Sequence, residues 1–242
     1  CTPCAAGTYS GADGATSCTD CVAGKASSQG ATVCSSCSSG FYSGAAAASC
    51  TMVQEGYYPI DTSTGQATDS AASGIAACAQ GHYSQNGYTA CAACYEGSYQ
   101  PNTAQSICIQ TPAGSFAIGS DGIATNSAAV GTSYCAAGTY SASGATVCTA
   151  CASGKYRSSS GGTECDTVGA GYYASISGSA VSSAATGYTQ CAAGRFAQAS
   201  SSECTACSEG FYSGEGADVC SQTPAGSFAI GSDGIATNSA AV

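Results

Sequence analysis

Apolar side chains along the chain occur singly or in short runs, and no segment repeats them with the sustained 3.6-residue period of an amphipathic helix. Short apolar stretches instead alternate with turns that are rich in glycine, serine and alanine. Residues 115–118 and 123–125, for example, flank the segment Gly119-Ser120-Asp121-Gly122, a pattern typical of a β-hairpin. The pattern therefore predicts short strands joined by tight turns, with little or no helix.

These strands and turns recur as one small module that begins with cysteine. Nine cysteine loops read C-x-x-G, and in eight of them an aromatic residue stands two positions after the glycine, as in Cys135, Gly138 and Tyr140. The exception is the loop of Cys21, which has Ala26 there. Because the chain must turn sharply after the cysteine, we expect the glycine to adopt a positive φ. The aromatic ring supplies most of the apolar area that so small a module can bury.

Four further segments keep the glycine and the aromatic residue but have no cysteine. The residues at the leading cysteine position are Val53, Thr111, Val168 and Thr223. The residues at the closing cysteine position are Ile75, Thr132 and Tyr188. Both cysteines of a module are thus lost together. Pairing within a module predicts this joint loss, because losing only one partner would leave an unpaired thiol.

The cysteine spacing therefore favours nine local disulfides. The predicted bridges are Cys4–Cys18, Cys21–Cys34, Cys37–Cys50, Cys78–Cys91, Cys94–Cys108, Cys135–Cys148, Cys151–Cys165, Cys191–Cys204 and Cys207–Cys220. An overlapping scheme, such as Cys78–Cys94 with Cys91–Cys108, also closes each block, so the alternative stays open. Cys1 is unpaired within the chain in either scheme, and we expect it to pair with an upstream cysteine or with another chain.

The modules are grouped into longer repeat units. A partial module, residues 1–20, precedes units at 21–77, 78–134, 135–190 and 191–242, the last of them truncated. Each unit is predicted to hold two disulfide loops and one cysteine-free module. The segment Thr111–Val130 recurs unchanged at Thr223–Val242, so the larger repeat is two units long. We expect this sequence to be a fragment of a longer repetitive chain.

Composition limits the class of protein further. The 242 residues include 19 cysteines, one methionine and no tryptophan, and the net charge is −10. Such cysteine density is typical of a disulfide scaffold in an oxidising compartment, which predicts an extracellular or cell-surface location. The four basic residues, Lys25, Lys155, Arg157 and Arg195, are too few for nucleic-acid binding. No apolar run approaches the roughly 20 residues of a membrane span.

Candidate chemistry is sparse. Cys18-x-x-Cys21 and Cys34-x-x-Cys37 have the spacing of a zinc ribbon, but the later blocks hold only one C-x-x-C each, so we favour disulfides over a metal site. The single histidine, His82, stands at a position that varies between modules, which argues against a catalytic role. The acidic residues lack the spacing of a calcium loop. We therefore expect no catalytic, cofactor-binding or metal-binding residues and no enzyme activity.

Large aliphatic residues are too scarce for one ordinary core, so stability must come from bridges and from stacking. A bridge across a loop of this length stabilises the module by about 3 kcal/mol in the chain-entropy model. Stacking on adjacent modules must supply the rest. The expected fold is a small disulfide-rich one of short β-hairpins, arranged as an elongated tandem-repeat rod in which each module touches only its neighbours.

The string C-x-x-G-x-Y-S-x-x-G-A-x-x-C-x-x-C, from Cys135 to Cys151, resembles the cysteine-rich repeats of ephrin-receptor-like and growth-factor-receptor-like extracellular proteins. Its form rich in alanine, serine and threonine is similar to surface proteins of protists, such as ciliate immobilisation-type antigens. This resemblance covers essentially the whole chain. It implies extracellular, disulfide-linked, stalk-like modules without catalytic residues.

The sequence leaves two functions to compare. The first is a structural repeat protein that forms a rod, a surface coat or a filamentous appendage, with self-association between copies of the chain. The alternative is a receptor-like or adhesive ectodomain that binds a protein or glycan ligand through one divergent repeat. The chain has no N-x-[ST] sequon, whereas its many serines and threonines suggest O-linked glycan.

Overall fold

A computed structural model describes residues 2–237 and 240–242 of the chain. Residue contacts divide it into two compact units, one comprising Cys1–Gln110 and Ala117–Gly131, the other Thr111–Phe116 and Thr132–Val242. The expected role of Cys1 as a link outside the chain falls on a residue outside the described ones. The three complete repeat units of 56 or 57 residues and the truncated unit 191–242 remain a division of the sequence.

Short strands are the regular elements of the described residues, which contain no helix. The strands of the Cys4 to Val53 modules are β1 (Thr8–Tyr9), β2 (Thr19–Asp20), β3 (Lys25–Ala26), β4 (Ser35–Ser36), β5 (Phe41–Tyr42), β6 (Thr51–Met52), β7 (Tyr57–Asp61), β8 (Gln66–Ala67) and β9 (Gly74–Ala77). Those of the Cys78 to Cys135 modules are β10 (His82–Tyr83), β11 (Ala92–Ala93), β12 (Ser98–Tyr99), β13 (Ile109–Gln110), β14 (Ser115–Ile118), β15 (Gly131–Tyr134), β16 (Thr139–Tyr140) and β17 (Thr149–Ala150). The remaining strands are β18 (Lys155–Tyr156), β19 (Asp166–Thr167), β20 (Tyr172–Ile176), β21 (Ser179–Ala180), β22 (Gly187–Gln190), β23 (Arg195–Phe196), β24 (Thr205–Ala206), β25 (Phe211–Tyr212) and β26 (Ser221–Gln222).

Each cysteine loop contains one antiparallel hairpin of two paired residues per strand. In the first loop Thr8 pairs with Asp20 and Tyr9 with Thr19. In each loop, the strand that follows the module glycine therefore pairs with two residues. These two residues lie between the closing cysteine and the first residue of the next module. These ladders are too short to be stable alone, since an isolated two-stranded hairpin is marginal even at greater length.

Nine disulfides hold the loops, each joining the two cysteines of one hairpin. They are Cys4–Cys18, Cys21–Cys34, Cys37–Cys50, Cys78–Cys91, Cys94–Cys108, Cys135–Cys148, Cys151–Cys165, Cys191–Cys204 and Cys207–Cys220. Each C-x-x-C pair of the zinc-ribbon spacing accordingly spans the boundary between two modules. Cys18 is bridged to Cys4, Cys21 to Cys34, and Cys37 to Cys50. Together, the bridges, the hairpins and the repetition confirm the predicted fold class of a small disulfide-rich tandem repeat.

Two of the cysteine-free modules, those of Val53 and Val168, have longer ladders than the bridged ones. In the Val53 module, β7 pairs with β9 over four residues, from Tyr57 opposite Ala77 to Ile60 opposite Gly74, and β8 adds a third strand. In the Val168 module, β20 pairs in the same way with β22 over four residues, and with β21. These modules therefore replace the covalent bridge with additional backbone hydrogen bonds as well as packing.

The hairpin predicted around Gly119 to Gly122 is confirmed. Strand β14 covers Ser115–Ile118, and an isolated antiparallel bridge joins Ile118 to Ala124. The amide of Gly119 donates to the carbonyl of Ile123, 2.9 Å away, and the Asp121 carboxylate accepts from the Ile123 amide at 3.0 Å. The Asp121 side chain thus stabilises the tight turn of this hairpin, a common role of aspartate before glycine.

Leading residues make up much of the buried interior of each unit, since all nine leading cysteines are buried whereas all nine closing cysteines are partly or fully exposed. At the same position, Val53, Val168 and Thr111 are each 0% exposed. Valine and threonine are close in size to cysteine, so they fill the buried position when the bridge is absent. None of the described residues forms a helix that could cross a lipid bilayer.

Candidate functional site

The contacts most often repeated in the molecule lie at the junctions between modules, and these junctions are the candidate functional surface. Each module has a residue with a positive φ four residues before the closing-cysteine position, or at the equivalent place in the last module, and we call it the turn residue. The turn residues are Gly14, Gly30, Ala46, Ala71, Gly87, Ala104, Ala128, Gly144, Gly161, Ala184, Ser200, Gly216 and Ala240. Several are alanines, so the conformation does not by itself require glycine.

A backbone hydrogen bond joins each turn residue after Gly14 to the module before it. The amide of Ala46 donates to the carbonyl of the leading residue Cys21 at 2.8 Å, and the same bond occurs at every junction from the Cys4 module to the Thr223 module. A second bond runs from the next leading residue back to the module glycine, as from the Cys37 amide to the Gly24 carbonyl at 2.9 Å. Both bonds use backbone groups alone, so they are available whatever side chains a module carries.

The module glycines contact a more distant module. A β-carbon on Gly24 would overlap the carbonyl oxygen of Ala71, which lies two modules further on, and one on Gly138 would overlap that of Ala184. The prediction that each module touches only its nearest neighbours is therefore wrong. The glycine was expected only for its positive φ, whereas the structure also places a backbone carbonyl against its Cα.

Buried serines supply a third kind of junction bond. Three residues after the module glycine, the Ser141 hydroxyl donates to the carbonyl of Ser115 in the preceding module at 2.8 Å. The hydroxyls of Ser27, Ser43, Ser84 and Ser213 make the equivalent bond at 2.8–3.0 Å. In two of these modules the serine oxygen also lies 3.3 Å from the sulfur of the leading cysteine. These serines are thus buried junction residues and are unavailable for modification in the folded protein.

Aromatic packing is densest around the Val168 module. The ring of Tyr188 meets those of Tyr156 and Tyr172 edge to face, with centroids 5.0 and 5.3 Å apart. Tyr156 and Tyr172 also pack on a small core of Val168, Ala174 and Ala185. Burial raises the pKa of the Tyr156 phenol, and the nearby Tyr188 and Asp166 raise it further. Tyr188, which stands where a closing cysteine would be, therefore replaces a bridge with ring contacts.

Three buried side-chain polar atoms have no hydrogen-bond partner within the described part of the chain. Thr111 and Thr223, both at leading-cysteine positions, each have a buried and unpaired hydroxyl oxygen. Arg157 makes an ion pair with Asp166 at 3.6 Å, but its Nε is also buried and unpaired. None of the three lies in a catalytic arrangement.

His82 lies on the wall of an open cleft of about 640 Å³. The cleft is also lined by Gln80, by Thr103 and by Asp121 and Ile123 of the 119–122 hairpin. The imidazole Nδ1 is 3.1 Å from the carbonyl oxygen of Gln80. Residues 111–130, which supply one wall of the cleft, recur at 223–242. The wall with His82 does not recur, because Arg195 occupies the equivalent position in the Cys191 module. This combination of groups occurs once in the sequence.

Among the described residues, no three histidine, cysteine or acidic side chains lie together in a group that could hold a metal ion. The acidic residues act instead within turns. Asp61 accepts hydrogen bonds from the Ser63 hydroxyl at 2.7 Å and from the Ser63 amide at 2.8 Å, which lowers the pKa of its carboxyl.

Sequence reasoning missed the turn residues altogether. Their signal was a small residue at an equivalent place in every loop, but the abundance of alanine, serine and glycine concealed it. What the junction can do chemically follows from its groups: it joins one module to the next through backbone hydrogen bonds and close packing. No protein-family model matches the chain, and no curated protein matches it either.

Proposed function

We propose that this protein is an extracellular structural repeat protein that forms a rod, surface coat or filamentous appendage. The observation that carries the proposal is the uniform junction, in which the amide of one turn residue bonds the preceding leading residue throughout the chain. A surface built from backbone groups can be repeated without limit, so the number of modules sets the length of the assembly. The protein is proposed to have no enzymatic activity.

The disulfides support an extracellular location. Nine bridges in 242 residues persist only where the redox poise is oxidising. Bridged loops with few charged side chains also suit a protein exposed to proteases and to mechanical load. We also propose that the modules are related to ephrin-receptor-like repeats or to protist surface antigens, because their cysteine spacing is similar.

Surface composition supports attachment of sugars and contact between copies. Exposed threonines and serines are abundant, and the exposed apolar residues Val33, Ile107, Val147 and Val219 all stand just before a closing cysteine. We include O-linked glycan and self-association in the proposal on this basis.

The test is electron microscopy of the native material, combined with intact mass under non-reducing conditions. Long uniform fibres and a mass above 23.2 kDa are expected, from assembly and glycosylation. A compact monomer with titratable free thiols would refute the structural role.

A receptor-like or adhesive role is the second candidate, and the His82 cleft favours it. Only one repeat combines His82 and Gln80 with the Asp121 hairpin, as a single ligand site would require. Binding of immobilised glycans or cell-surface proteins by the wild type but not by His82→Arg, which copies the Arg195 counterpart, would support this role. Equal binding by both proteins would exclude the cleft as the site.

A further inference from the structure

The turn residues are glycine in some modules and alanine or serine in others, and the difference follows the residue they face. We call the residue just before each leading residue the lead-in residue. A β-carbon on Gly216 would lie 2.5 Å from Nε2 and 3.3 Å from Cγ of the lead-in residue Gln190. One on Gly161 would lie 3.4 Å from Cδ1 of Tyr134. The Gln190 side chain thus occupies the space that a methyl group on Gly216 would need, whereas the Tyr134 ring would lie in van der Waals contact with one on Gly161.

Size matching holds at all but one of the junctions whose two residues belong to the same compact unit. Three pairs join a long or aromatic lead-in residue to a glycine turn residue, and they are Met52 with Gly87, Tyr134 with Gly161 and Gln190 with Gly216. The exception is Pro3 with Gly30, because proline is about as large as aspartate or threonine. Pairs with an alanine or serine turn residue have a smaller lead-in residue, and they are Asp20 with Ala46, Ser36 with Ala71, Ala77 with Ala104, Ala93 with Ala128, Ala150 with Ala184, Thr167 with Ser200 and Ala206 with Ala240. No such pair joins a bulky lead-in residue to a turn residue that has a β-carbon.

The two halves of the chain show the matching directly, because equivalent junctions differ at both positions together. Asp20 with Ala46 in the first half becomes Tyr134 with Gly161 in the second. Ala77 with Ala104 becomes Gln190 with Gly216. At a third junction the change runs the other way, since Met52 with Gly87 becomes Thr167 with Ser200.

Backbone conformation does not explain these exchanges. Ala46 and Ala104 have φ values of 55° and 57°, so alanine is accommodated in the left-handed region at this position. Glycine at Gly216 therefore provides room for the Gln190 side chain rather than a special conformation, and glycine at Gly161 leaves the Tyr134 ring without a methyl neighbour. Alanine in turn fills the space where the lead-in side chain is short.

We propose that the lead-in residue and the turn residue of the next module form a size-matched pair that determines which module can dock on which. The partner that each junction accepts is a module of this chain type with a complementary pair residue. The backbone bonds are the same at every junction, so they cannot distinguish the correct neighbour from another of the near-identical modules. A shift in stacking that placed a methyl group against the Gln190 side chain would create an overlap there, and this mismatch disfavours the wrong register.

The test is a double-mutant cycle at Gln190 and Gly216 in the full 242-residue chain. The double variant Gln190→Ala/Gly216→Ala recreates the natural pair Ala77 with Ala104. The readout is hydrogen exchange at the unmutated amide of Ala197, which donates to the Ala217 carbonyl across the same junction at 3.1 Å. The strain of alanine at positive φ is present in both arms of the cycle and cancels.

We expect Gly216→Ala to reduce the protection of the Ala197 amide about tenfold more when Gln190 is present than when residue 190 is alanine, a coupling typical of residues in contact. Equal losses in the two backgrounds would overturn the proposal. The reverse exchange gives a second measurement: Ala77→Gln should lower the yield of oxidised, folded protein, and Ala77→Gln/Ala104→Gly should restore it. Failure of the second substitution to restore the yield would also overturn the proposal.

Discussion

The carbonyl oxygen of Gly216 occupies the position where a β-carbon of Gly171 would stand, although the two glycines belong to modules separated by a third. Gly171 is buried, its φ is +82°, and its amide donates to the Ala197 carbonyl of the intervening module. One residue thus connects three consecutive modules. The Val168 module consequently depends on the two modules that follow it rather than on one.

This relationship predicts unequal costs for two glycine substitutions in the same module. Gly171 and Gly178 have nearly the same φ, +82° and +83°, but only Gly171 is approached by a carbonyl, and a β-carbon on Gly178 meets nothing within 4 Å. Gly178→Ala should cost about 1–2 kcal/mol, from the left-handed conformation alone. Gly171→Ala should cost about 1–3 kcal/mol more, because the backbone must move to relieve the overlap.

Local opening free energies from native-state hydrogen exchange at the Ala197 and Cys191 amides would measure the difference. Both report on the junction, since the Cys191 amide donates to the Gly171 carbonyl at 2.9 Å. Equal destabilisation by the two variants would mean that the close approach contributes nothing beyond conformation.

Removing a buried serine hydroxyl should weaken one junction. Ser141→Ala leaves the Ser115 carbonyl without the hydroxyl that now donates to it at 2.8 Å. The expected loss is about 1–3 kcal/mol, the usual cost of leaving a buried acceptor unsatisfied. Thermal unfolding followed by circular dichroism would compare it with Ser159→Ala, an exposed serine in the next module, for which a negligible change is expected. A comparable shift in both variants would count against the bond.

The cysteine-free modules should accept a bridge at the positions that match the cysteines. Ile75 precedes the strand residue Ala76, as each closing cysteine precedes its own, and Val53 occupies the buried leading position. Val53→Cys/Ile75→Cys should therefore form a tenth disulfide and stabilise the chain by about 3 kcal/mol. Intact mass before and after alkylation would detect it, with Val53→Cys as the single-thiol control. Two alkylated thiols in the oxidised double variant would show that the positions are not equivalent.

The β7–β8 turn should weaken in acid. Hydrogen bonds from Ser63 lower the pKa of Asp61 below its ordinary value of 3.8, so the folded turn prefers the carboxylate. The resulting stability is present above the unfolded pKa and is lost as pH falls through the lower folded value. A carbon-13 NMR titration should give Asp61 a higher pKa in Ser63→Ala than in the wild type. An unchanged titration would indicate that Ser63 does not hold the carboxylate.

The fold class could be predicted because its signals are local. Glycine three residues after a cysteine and an aromatic ring two residues later describe a hairpin that needs no distant partner, and the Gly119–Gly122 hairpin is confirmed for the same reason. The longer ladders of the Val53 and Val168 modules were harder to foresee. Strand β20 contains Ser175 and Ala174, which are not strong strand formers, so its length depends on pairing with Gly187 and Tyr188.

The junction contacts could not be predicted, because they join residues far apart in sequence. The segment between Gly171 and Gly216 contains turns of similar composition. The sequence alone therefore does not say which turn meets which glycine. The lead-in and turn residues form a recognisable pattern only when the hydrogen bond from Ala46 to Cys21 fixes their alignment. The His82 cleft is likewise formed by segments that the repeat pattern treats as unrelated.

The proposed structural role requires modules to add in series, so that the length of the proposed rod follows the repeat number. The most direct measurement is small-angle X-ray scattering of chains carrying one or two extra copies of residues 20–133 inserted after Ser133, an insertion that keeps every size-matched pair. The maximum dimension should increase by the same amount with each copy. Growth of the radius of gyration with about the 0.38 power of chain length, as in compact proteins, would contradict the account.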